Sequence, residues 1–238
     1  MIHGTSRVRN KFPKRGNSFP VLLLSVALGL VSLPEPVMGD CPVSIVTGVD
    51  VSASISPEEL ALQVDGISAA LQSPAVLSAI SAQGCARFSV FLWADGEPEI
   101  VLPWSEVSSE ETAAAVGQVL TQSAGQYSKS VGSLTDVSAA LQFSWALLNQ
   151  TPPTGKQVVN LITNGEDNSG EGPQVISIQM KSAGVIINAV LMGPPNLEEY
   201  YRQNVVGGMG SFIMRIDASE DVAAAFRSKF ILDLASAQ

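Results

Sequence analysis

Residues 44–54 read SIVTGVDVSAS, an apolar run that closes on an acid and small hydroxyl side chains. A buried strand of a parallel sheet has this pattern where it emerges at its carboxyl end. Ser56, Pro57 and Glu59 follow as an N-cap, a first-turn proline and a capping-box acid. A helix is expected from there to about Gln72, with Leu60, Val64, Ile67 and Leu71 at helical spacing, and a shorter piece after Pro74 to Ser81. A strand that feeds directly into an amphipathic helix is the repeating unit of an α/β fold.

Outward from this stretch, the pattern repeats. Residues 86–104, ARFSVFLWADGEPEIVLPW, hold two β-rich runs around a turn with Asp95, Gly96 and Pro98, so one strand should turn back antiparallel at the sheet edge. A helix is expected over 108–121, then a small-residue loop, 123–133, then Thr135 and a helix over 136–148. Strand and helix alternate again over 156–163 with 173–182, 185–191 with 197–203, and 212–216 with 220–234. The expected architecture is a doubly wound, mainly parallel six-stranded sheet with one antiparallel edge strand and helices on both faces, Rossmann-like in outline.

Residues 1–39 do not share this pattern. Arg7, Arg9, Lys11, Lys14 and Arg15 precede an apolar run over 21–33, and small side chains stand near Gly39, as in a secretory signal peptide cleaved after that glycine. The apolar run has 13 residues, short of the 18 or so that a spanning helix needs. An uncleaved anchor is the competing reading, and Asp40 argues against lipidation of Cys41. Residues 40–238 then form one domain, exported to the periplasm or beyond and not inserted in the membrane once the signal is removed.

The leader takes five of the 13 basic residues and one of the 22 acids, leaving eight against 21, a net charge of −13 for the remainder. Such a surface repels nucleic acid and anionic lipid and suits cations or basic partners. Cys41 and Cys85 are the only cysteines, each just ahead of an expected strand. In an exported chain they read as a disulfide, with two buried thiols as the alternative. The one histidine, His3, lies in the leader. Histidine-based triads, histidine general bases and histidine-bearing zinc sites are thereby excluded from the domain. Carboxylates, hydroxyls and amides remain, which are ligands for Mg²⁺, Mn²⁺ or Ca²⁺.

Ligands of open parallel sheets bind beyond the carboxyl ends of the strands. Three polar loops fall there: DVSAS at 50–54, SLTD at 133–136 and TNGEDN at 163–168. The alternation in DVSAS lets Asp50, Ser52 and Ser54 turn toward one point. An acid that ends a buried strand also needs a partner for its charge. The plain alternatives are that these serines and Thr135 only cap helices, and that Asn164, Glu166 and Asp167 form a solvated turn. Trp93, Trp104, Trp145, Tyr200 and Tyr201 are read as packing residues, and the glycines at 207–210 lack the context of a nucleotide loop.

These residues resemble the von Willebrand factor A-type domains, whose metal-ion-dependent adhesion site is D-x-S-x-S after the first strand, a threonine before a central helix and an aspartate after the fourth strand. The segment YYRQNVVGGMGSF and the FRSKF helix look like an exported bacterial branch of that family. The resemblance implies that Ser52, Ser54 and Thr135 ligate a divalent cation, Mg²⁺ foremost, and that Asp50 holds a coordinated water. It also implies an acidic side chain of a protein partner in the open position, and a binding module rather than an enzyme. Asn164 stands where the family has aspartate, which removes a negative charge beside the cation. Two other functions fit the residues: a Mg²⁺-dependent phosphohydrolase of the haloacid-dehalogenase type with Asp50 as nucleophile, although Ser52 replaces its second acid, and a structural domain with a decayed metal site.

Overall fold

The computed structural model describes residues 41–123, 131–151, 155–217 and 221–235. The expected signal peptide, its cleavage point and most of the loop at 123–133 lie outside them. Six strands form one sheet: β1 (Val43–Asp50), β2 (Ala86–Trp93), β3 (Glu99–Val107), β4 (Lys156–Thr163), β5 (Ile186–Leu191) and β6 (Ile213–Arg215). Seven helices pack around it: α1 (Pro57–Leu71), α2 (Pro74–Gln83), α3 (Glu110–Ser123), α4 (Val137–Leu148), α5 (Gln174–Ser182), α6 (Leu197–Asn204) and α7 (Val222–Ala235).

The sheet order is β3-β2-β1-β4-β5-β6, parallel throughout except for β3, which pairs antiparallel with β2. The chain builds outward from β1 to β2 and β3, then returns to its other side with β4. The order therefore reverses at β1, and loops after β1 and β4 leave a crevice between them, the position where such sheets take ligands.

Side chains alternate along β1 between two cores. Val43, Ile45 and Val49 join the cluster with α1, α2, α3 and α7, and Val46 joins the cluster with α4, α5 and α6. Cover on both faces is why all eight residues of β1 are buried and why its sequence is mostly apolar up to Asp50.

Local signals set the ends of α1 as expected. Ser56 Oγ accepts from Glu59 N at 3.1 Å, Ser56 N donates to Glu59 Oε2 at 2.8 Å, and Pro57 opens the first turn. Cys41 and Cys85 are joined in a disulfide, Cα to Cα 5.1 Å. It links the starts of β1 and β2, which are parallel neighbours with Ser44 beside Arg87.

A polar network crosses the core between α7, β4 and β5. Lys229 and Asp233, one turn apart on α7, are both buried and paired, Nζ to Oδ2 2.6 Å. Asn160 of β4 and Asn188 of β5 donate to the two carboxylate oxygens at 2.8 and 3.0 Å. Phe212 N donates to Asn188 Oδ1 at 2.9 Å, so the strand leading to β6 joins the same network.

Candidate metal site

Asp50 ends β1 and is fully buried. Ser52 N donates to its Oδ1 at 2.7 Å, and Thr163 Oγ1 of β4 donates to its Oδ2 at 2.6 Å. The register sets this second contact: Val49 lies opposite Ile162, so the last residues of β1 and β4 are neighbours. Burial pushes the Asp50 carboxyl above the usual carboxylate range, and the bonds from Thr163 and Ser52 pull the other way.

Ser52, which bonds Asp50, is the centre of a group of three hydroxyls. Ser52 Oγ is 3.2 Å from Ser54 Oγ and 3.3 Å from Thr135 Oγ1. Ser54 Oγ donates to Asn164 Oδ1 at 2.7 Å, which brings the β4 loop against the β1 loop. The five residues read from the sequence, Asp50, Ser52, Ser54, Thr135 and Asn164, thus form one connected group at the carboxyl edge of the sheet.

Thr135 is not the cap of α4. That role belongs to Asp136, whose Oδ1 accepts from Ala139 N at 2.8 Å, while Asp167 Oδ2 accepts from Val137 N at 2.9 Å. The backbone of Thr135 is held by Asn168 instead, from Thr135 N to Asn168 Oδ1 at 2.8 Å and from Asn168 N to Thr135 O at 3.0 Å. With two carboxylates already on the helix N-terminus, the Thr135 hydroxyl is released toward Ser52. Asp167 is accordingly a capping group rather than a free acid of a solvated turn.

Several supporting residues carry no sequence signal of their own. Asp95 Oδ1 accepts from Ser133 N at 2.5 Å and Leu134 N at 2.8 Å, and these two amides hold its carboxyl below the usual range. Ala53 N donates to Ser133 O at 2.9 Å, so the β2 turn and the DVSAS loop both brace the approach to Thr135. Gly132 makes this possible. Its φ is +115°, and a Cβ there would lie 2.2 Å from Asp95 Oδ1.

Tyr201, read from the sequence as packing, is buried, and its hydroxyl donates to Gly165 O at 3.0 Å. Thr163 Oγ1 accepts from Gly165 N at 3.1 Å. Both ends of the Gly165 residue are thereby fixed beside Thr135. The only prior clue to Thr163 was the one that marked Asp50, a polar residue closing a buried strand. Tyr201→Phe removes the partner of Gly165 O at a buried site. A loss of about 1 kcal/mol is expected in urea or thermal melts, and an unchanged stability would mean that the loop does not depend on this bond.

The donor set is all oxygen: three hydroxyls, one amide and a carboxylate behind them, chemistry that fits a hard divalent cation. A Cβ at Gly165 would stand 3.2 Å from Thr135 Oγ1, so glycine at this position keeps the approach to that hydroxyl clear. Among the described residues, the only group of three acidic or cysteine side chains close enough to share an ion is Cys41, Cys85 and Glu106, and there both sulfurs are in the disulfide.

Strand order, helix placement and the antiparallel edge together give the fold of von Willebrand factor A-type domains. Solved structures of that class share the fold. Proximal thread matrix protein 1 of the mussel byssus aligns with a TM-score of 0.60 at 18% identity, over 82% of this chain and 48% of its own. The von Willebrand factor type A protein of Catenulispora acidiphila aligns at 0.57 and 15%, over 81% and 42%. The manganese-loaded TRAP protein of Plasmodium vivax aligns at 0.54 and 17%, over 81% and 74%. The chain thus spans about half the length of the first of these proteins. The chain belongs to the family described as protein of unknown function DUF1194, whose profile matches residues 40–238. No curated protein matches it.

Proposed function

We propose that this domain is an exported, non-enzymatic binding module that engages a protein partner through a divalent cation held by Ser52, Ser54 and Thr135, with Asp50 and Asn164 behind or beside them. The observation that carries the reading is the convergence of three hydroxyls, from loops more than 80 residues apart in the chain, around Ser52, whose N–H bonds one buried carboxylate. Uncompensated burial of a carboxylate is unfavourable, and a cation at the hydroxyls offsets it. Mg²⁺ is the expected ion, with Mn²⁺ and Ca²⁺ as alternatives of the same oxygen chemistry. Among structures of this fold, mussel proximal thread matrix protein 1 is known with a zinc-occupied MIDAS motif, the TRAP protein is manganese-loaded, and SpaC of Lactobacillus rhamnosus is a pilus adhesin. These neighbours favour a divalent cation and a binding role in general.

A partner's acidic side chain would complete the metal shell, since the hydroxyl ligands leave the ion's charge poorly neutralised. Export accords with the disulfide and with the charge pattern of residues 1–39. Among the described residues, no helix is long and apolar enough to cross a membrane. Phosphoryl transfer finds little support. A nucleophilic Asp50 would need an exposed oxygen, whereas its side chain is 0% exposed and both oxygens accept hydrogen bonds.

The test joins metal and partner. Mn²⁺ or Mg²⁺ at about 100 times its Kd should stabilise the wild type by about 2.7 kcal/mol, a rise in Tm of roughly 5–10 °C. Asp50→Asn keeps an acceptor for Ser52 N and removes the charge, so it should fold and lose most of that rise. A pull-down from the native extracellular fraction should retain the same partner with Mg²⁺ and lose it with chelator. Equal recovery with and without the ion, or an equal rise in Asp50→Asn, would sink the proposal.

A further inference from the structure

Asn164 is the one residue of the site that departs from the family pattern, and its contacts point to a role that an aspartate cannot fill. Its Oδ1 accepts from Ser54 Oγ at 2.7 Å, and its Nδ2 donates to the backbone carbonyl of Ser54 at 3.3 Å. The side chain therefore grips Ser54 at two points and ties the β1 loop to the β4 loop across 110 residues of sequence. Only an amide has both the acceptor and the donor this requires. A carboxylate in the same place would set its second oxygen against the Ser54 carbonyl oxygen, and would add charge to a loop that already carries Glu166 and Asp167.

We infer that Asn164 is a positioning residue that keeps the cation site assembled while no cation is bound, an inference that rests on the cation-binding reading above. Ser54 Oγ gives its proton to Asn164; one of its lone pairs faces Ser52 Oγ and the other is left for a metal. The hydroxyl separations of 3.2 and 3.3 Å already fall in the range for neighbouring ligands of a hard cation, roughly 2.9–3.4 Å for metal–oxygen bonds of about 2.0–2.4 Å. Entry of the ion then needs little movement of the loops. The same amide leaves the ion with one negative charge fewer, so the site trades affinity for assembly without metal. The ion exchanges readily, and when bound it presents more uncompensated positive charge to an acidic group.

Asn164→Asp and Asn164→Ala separate these effects. Thermal melts in chelator, melts in Mn²⁺ and Mn²⁺ calorimetry are run on both variants and on the wild type. In chelator, Asn164→Asp should melt about 3 °C or more below the wild type, and Asn164→Ala should also melt lower, because both lose the amide donor. In Mn²⁺ the order changes: Asn164→Asp should bind the ion about tenfold tighter than the wild type and gain the larger rise in Tm, and Asn164→Ala should gain no more than the wild type. An Asn164→Asp protein that melts at or above the wild type in chelator, while both respond to Mn²⁺, overturns the positioning role alone. No response to Mn²⁺ in either protein overturns the cation-binding reading and this inference together.

Discussion

Asp233→Ala is expected to destabilise the domain by about 3–5 kcal/mol, because it leaves a buried ammonium without its counter-charge. Lys229 and Asp233 are each about 1% exposed, so water cannot replace the lost partner. The amides of Asn160 and Asn188 lose their acceptor in the same step. Burial already pulls the Lys229 ammonium below its usual range, with the Asp233 carboxylate acting against that pull. Without the carboxylate, Lys229 sheds its proton more easily, which limits the loss but leaves an unpaired amine. For a domain of this size the fall in Tm should be roughly 10 °C. The double variant Lys229→Met with Asp233→Asn removes both charges and keeps one acceptor oxygen for the two amides, so it should lose less than Asp233→Ala alone. A single variant within about 1 kcal/mol of the wild type in urea melts would show that the pair does not hold α7 on the sheet.

Removing the disulfide should have an effect of similar size by a different route. Cys41 and Cys85 are 44 residues apart, and the bond closes that loop in the unfolded chain. Loop-closure entropy for that length is about 4 kcal/mol at 25 °C. The paired substitution Cys41→Ala with Cys85→Ala should therefore lower the Tm by roughly 8–16 °C, and reductant should lower the wild type by a similar amount. Cys41 is buried at the entry to β1, so the bond also fixes the end of the central strand against β2. The two losses should couple rather than simply add, because Lys156 bonds both Asp233 O and Pro42 O, next to Cys41, and Gln83, two residues before Cys85, donates to Leu234 O. A double alanine variant as stable as the wild type would mean that the folded contacts of β1 alone hold its start in place.

The site itself was legible in part. Asp50, Ser52 and Ser54 announce themselves because the period of the strand and its polar ending are local, and the capping box at Ser56 and Glu59 fixes where the helix must start. Thr135 was ambiguous. A threonine just before a helix satisfies the rules for a cap as well as those for a ligand, and sequence cannot tell that Asp136 and Asp167 occupy the helix N-terminus instead. Asn164 stood out as a missing charge, yet its value as a donor to the Ser54 carbonyl required the two loops to be placed together.

The sequence by itself determined the order of strands and helices, the antiparallel edge and the edge of the sheet at which the polar loops gather, and it favoured a disulfide over two buried thiols. Each of these follows from spacing within a few residues or from compartment chemistry. Only the tertiary structure decided that Thr163 supports Asp50 from 113 residues away, that Tyr201 holds Gly165, and that α7 is fastened by Lys229 and Asp233 to Asn160 and Asn188. The reason is register. The offset between β1 and β4, with Val49 opposite Ile162, is set by how two apolar strands settle between two layers of helices. A shift of one residue would turn Thr163 to the other face of the sheet and leave Asp50 without its second hydrogen bond.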